Sequence, residues 1–175
     1  MPKIITARRL EGEHEQAKEY VKAHILFPSG LLGLILMIAG TASLVYQFFA
    51  LDYGWETFVQ SSGLLVVGGL LGWGQTRYHQ YVLREHPECF AARLRLFTRS
   101  RLRRPKKDAQ LPALAHRGRK LVPLAYVLGA ALLFGVSALS AMVGRVYFMA
   151  ALLMPWAGFF WAKMFFWRGV LVAKK

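Results

Sequence analysis

Residues 31–51 read LLGLILMIAGTASLVYQFFAL, twenty-one positions in a row without a charge. As a helix rising 1.5 Å per residue this segment is about 31 Å long, the thickness of a bilayer's hydrocarbon core. Lipid offers backbone groups no hydrogen-bond partner, so an isolated span must satisfy them internally, as a helix does. The composition agrees: 55% of the 175 residues are hydrophobic, too many for an ordinary soluble domain of this size.

On the C-terminal side, Asp52–Thr57 (DYGWET) forms a short acidic turn whose Tyr53 and Trp55 suit a membrane interface. A second span returns over about 58–75, with Trp73, Tyr78 and Tyr81 at the opposite interface. On the N-terminal side, Pro28-Ser29-Gly30 is expected to end one helix and start the first span. Residues 1–27 lack the apolar region of a signal peptide and read as a cytoplasmic segment. Within it, Glu11 to Ile25 places Ala17, Tyr20, Val21, His24 and Ile25 at helical spacing. This amphipathic helix lies on the membrane surface or stands in solvent.

Residues 77–120 carry thirteen Lys and Arg against Glu85, Glu88 and Asp108, a net +10 of the chain's +14. A third span follows over about 121–143. Gly144-Arg145 makes a tight turn, and a fourth, aromatic-rich span runs over about 146–167 with a kink expected at Pro155. Residues 168–175 form a basic tail. The expected fold is all-α: a polytopic membrane protein with four transmembrane helices in two antiparallel hairpins, 28–76 and 121–167, joined by a basic cytoplasmic segment. The turns on the far side hold only Asp52, Glu56 and Arg145, a net −1, against +1 for residues 1–27 and +4 from Lys163 onward. That asymmetry places both termini in the cytoplasm. With Arg outnumbering Lys fourteen to nine, a bacterial inner membrane is expected.

Within the bridge, His86-Pro87-Glu88 has the form of a helix start, and an amphipathic helix is expected over about 87–104. Phe90, Leu94 and Phe97 share one face and Arg95, Arg99 and Arg103 the other. Like charges four apart repel, so this row calls for an anionic counterpart, either lipid headgroups or an acidic partner protein.

Small residues at four-residue spacing mark helix-packing faces: Gly68 and Gly72 on the second span, Ala131 and Gly135 with Ser140 and Gly144 on the third, Gly158 and Ala162 on the fourth. Such positions let backbones approach closely where lipid gives no hydrophobic drive for association. Gln47, Gln60, Ser61 and Ser140 fall at similar depth and form a candidate polar layer, for hydrogen bonds between helices or a quinone headgroup.

Missing residues restrict function further. No Asp or Glu lies inside a span, whereas ion-coupled transport needs buried ionisable groups. Lys163 is near enough to the end of the fourth span to reach the interface past Trp167. All five histidines lie outside the spans; His24, His79 and His116 flank span ends at the basic side. The single cysteine, Cys89, excludes an internal disulfide and a cysteine-based metal cage. No nucleophile triad or phosphate loop is present. No catalytic, cofactor or metal residue is therefore named, and an enzyme is not expected. The preferred expectation is a non-catalytic accessory, scaffold or assembly subunit of a larger membrane complex, respiratory or photosynthetic. A lipid-binding or membrane-shaping hairpin protein is the alternative, ahead of a small transporter. Other membrane subunits and anionic lipids are the expected partners, with no nucleic acid. No cofactor is required; a pigment, quinone or lipid would be a peripheral contact.

Overall fold

The computed structural model describes residue 12 and residues 14–100 and 121–172, with side chains for all of these except 88, 95–100 and 169–172. The described residues are helical throughout except for short connections. Helix α1 spans His14–Ala50, α2 Trp55–Glu85, α3 Pro87–Ser100, α4 Leu121–Val143 and α5 Phe148–Val172. All but α3 are long and apolar enough to cross a membrane. Large apolar side chains cover their outer faces: Phe49 is 82% exposed and Met142 84%. In water such a surface would be an aggregation site; in lipid it is an ordinary one.

Pro28 does not end the first helix, contrary to expectation. The helix runs on through a π-helical turn at Lys22–Leu26, where the Phe27 N–H donates to the Lys22 carbonyl five residues back. Proline has no N–H for the carbonyl of His24, and its ring crowds that oxygen. Widening one turn by a residue relieves the crowding and leaves the helix continuous.

Helix α5 is the centre of the bundle. It packs along both α1 and α2, whereas those two barely touch within the spans, although only residues 51–54 join them. The glycines set this arrangement. A methyl group on Gly68 would overlap the Pro155 carbonyl, one on Gly72 the Phe159 carbonyl, and one on Gly158 the Leu65 carbonyl. The α2 and α5 backbones therefore meet in parallel with nothing between them. Gly33 meets the backbone and side chain of Phe160 and the N–H of Trp161, and Gly40 meets Met154, so α1 lies antiparallel to α5. Helix α5 continues through Pro155, whose carbonyl faces Gly68.

Helix α4 is the peripheral one. It buries Leu133, Ser137 and Ser140 and leaves most of its circumference free. The turn into α5 passes through Gly144 at φ 72°, a left-handed conformation that only glycine adopts at no steric cost.

Candidate functional site

Two connections, 51–54 and 144–147, meet at one end of the bundle, and Gln47 holds them. Its Nε2 donates to the Arg145 carbonyl at 2.8 Å, and its Oε1 accepts from the Tyr147 N–H at 2.8 Å. The Thr57 hydroxyl donates to the same Arg145 carbonyl at 3.0 Å, and Arg145 pairs with Glu56 at 2.7 Å on the exposed side. The candidate polar layer does not form as one cluster. Ser61 donates to Phe58 of its own helix, the buried Ser140 hydroxyl has no partner, and Gln60 is only half-buried. Gln47 reaches backbone rather than the other three because a turn offers unpaired carbonyl and N–H groups that a neighbouring helix does not.

The sequence-predicted packing residues divide. Gly68, Gly72 and Gly158 lie in the α2–α5 contact and Ala162 beside it, half-buried. Ala131 and Gly135 meet no helix among the described residues: both face outward, with open space where a Gly135 methyl would stand, because α4 presents other residues to α5. Gly144 serves the turn and packs against nothing. Gly30, Gly33 and Gly40, which line the α1–α5 contact, went unrecognised; their three- and seven-residue spacing on one helical face was the available signal.

At the other end, the expected lipid-docking face of α3 turns inward. Phe90 is 4% exposed and joins Ala17, Tyr20, Val21, Val82, Leu83 and Trp167 in one apolar cluster, with Leu94 against its edge. The Phe90 and Tyr20 rings stand 5.9 Å apart. Phe90 and Leu94 are thus bound within the chain, since two apolar helix faces bury more surface against each other than either does alone. The side chains of Phe97, Arg95 and Arg99 and all of Arg103 lie outside the described residues, as do His116 and residues 101–120. His24 stacks on Tyr20 at 4.8 Å, and no group of three metal-ligating side chains occurs among the described residues.

A cleft of about 480 Å³ opens between α2, α4 and α5. Its walls are almost wholly apolar, formed by Leu70, Leu71, Leu133, Trp156 and Phe159 among others. Gly74 on α2 and Gly129 on α4 line it, and a methyl on either would meet nothing within 4 Å. The end towards the α2 C-terminus is polar, with Gln75, Tyr78 and Tyr126. The Tyr126 hydroxyl bonds His79 Nε2 at 2.8 Å, while Gln75 Oε1 and His79 Nδ1 are buried without partners. Lys163 does not extend past Trp167. Its amine folds back over the Phe159 and Phe160 rings at 5.0 and 5.9 Å, following the tilt of helical side chains towards the N-terminus. Sequence reasoning missed this cleft because its walls come from three segments with no common spacing. The signal within reach was Gln75 and Tyr126, polar groups near the ends of otherwise apolar runs.

Comparison with protein-family models, with curated proteins and with solved structures gives no match to this chain, so its function is argued from its own geometry.

Proposed function

We propose that this chain is a non-catalytic accessory or assembly subunit of a larger membrane complex. It sits in a bacterial inner membrane with both termini in the cytoplasm. The observation that supports this reading is the outer face of α4. Ala131, Gly135 and Ala138 lie exposed on one stripe of a helix that is only lightly held by its neighbours. Small residues allow helix backbones to approach closely, and here no helix among the described residues uses them. A second subunit's helix fits such a stripe. The basic bridge, with Arg95, Arg99 and Arg103, adds a docking charge at the cytoplasmic surface.

The membrane-shaping alternative is weaker. A wedge needs apolar helix faces free to enter the lipid, whereas Tyr20 and Phe90 face each other. Gentle solubilisation followed by native mass spectrometry tests the subunit reading. Partner chains in fixed stoichiometry are expected, with loss of those partners on Gly135→Trp. A lone monomer carrying only bulk lipid would overturn it.

A further inference from the structure

We propose that the cleft between α2, α4 and α5 holds one anionic phospholipid, with an acyl chain in the apolar part and the headgroup at the Gln75–Tyr126 end.

The cleft has room and direction. Gly74 and Gly129 keep opposite walls clear of side chains. From Val122 to Leu133, eleven steps along α4, it runs about 16 Å at 1.5 Å per residue. Its apolar depth lies towards the middle of the spans, and its polar mouth lies where the chain's positive charge is concentrated. An amphiphile therefore enters in the orientation it already has in that leaflet.

Charge selects the head. Lys163 stands over Phe159, a wall of the cleft, and is half-buried. Helices α4 and α5 contain no acid, and α2 has only Glu56 and Glu85 near its two ends. A cation withdrawn from water calls for an anion beside it. Gly72 meets Phe159 across the parallel α2–α5 contact, so Lys163, one turn further on, stands at the level of Gln75. In the tautomer in which Tyr126 donates to His79 Nε2, Nδ1 carries a proton with no acceptor. A phosphate supplies the acceptor and the countercharge together. A neutral quinone would fill the same space and leave Lys163 uncompensated.

The test uses the full chain in nanodiscs of equal phosphatidylglycerol and phosphatidylcholine, transferred to mild detergent for native mass spectrometry. One retained phosphatidylglycerol per chain is expected, in excess over phosphatidylcholine. Lys163→Gln should lower that preference about fivefold, the effect of one interfacial charge. Gly129→Leu, or Gly74→Leu from the opposite wall, should abolish retention while circular dichroism keeps the helical signal. Equal retention of the two lipids, or a preference unmoved by Lys163→Gln, would overturn the anionic headgroup. Retention that survives both glycine variants would place the lipid elsewhere. A neutral quinone retained in preference when added at the same mole fraction would also overturn the proposal.

Discussion

Glycines here fall into two sets, and the difference lies in what each missing methyl would meet. At Gly68, Gly72 and Gly158 it would strike a carbonyl of the facing helix; at Gly74, Gly129 and Gly135 it would enter open space. Gly68→Ala should therefore force α2 and α5 apart, an overpacking cost of about 1–3 kcal/mol. Gly135→Ala should leave stability unchanged or raise it, since alanine is the better helix former by about 1 kcal/mol. Reversible unfolding in mixed micelles reads both variants, and equal effects would show that the close crossing does not govern stability. Gly68, Gly72 and Gly158 lie where two helices cross, whereas Ala131 and Gly135, singled out by the same spacing rule, face no other described helix. Spacing says which residues share a face; it does not say whether another helix stands opposite. Gln47 was legible as a polar residue near the end of a span, yet its two closest partners are backbone groups about a hundred residues away, and backbone groups carry no sequence signature.

At the scale of elements, periodicity located the helices and misjudged what their apolar faces cover. Helix α3 and the N-terminal part of α1 were both recognisable as amphipathic, and each alone reads as a helix lying on lipid. Together they cap the bundle by closing over Trp167, which is fully buried. Phe90→Ala should cost about 3–5 kcal/mol of local stability, the usual effect of emptying a buried aromatic site. Hydrogen exchange should then show faster exchange over residues 87–94 with the spans unchanged; protection that stays intact would mean Phe90 does not anchor α3. The continuity of α1 through Pro28 has a similar origin. Proline is a sound stop signal for a helix standing alone, but here Ser29 and Gly33 are buried against the bundle, so the flanking turns stay in place and a π-turn absorbs the misfit.

For the whole molecule, orientation rests on charge. In a Cys89→Ala background, Asp52→Cys should react with an impermeant thiol reagent in intact cells, whereas Lys22→Cys and Arg84→Cys should react only after permeabilisation. All three positions are exposed. Cys89 is itself a poor reporter because it is buried on either side of a membrane. The reverse labelling pattern would invert the topology. What the chain determines by itself is the number of apolar segments, their lengths and the charge between them, because a bilayer demands of each segment only that it be long, apolar and internally hydrogen-bonded. Neighbours in space were decided by tertiary structure alone. Two helices joined by a short turn were expected to pair, yet α5 lies between α1 and α2, reached from α2 across the whole basic bridge. In lipid, apolar area rewards no particular pairing, so contact went to the helices whose glycines and carbonyls permit the closest approach.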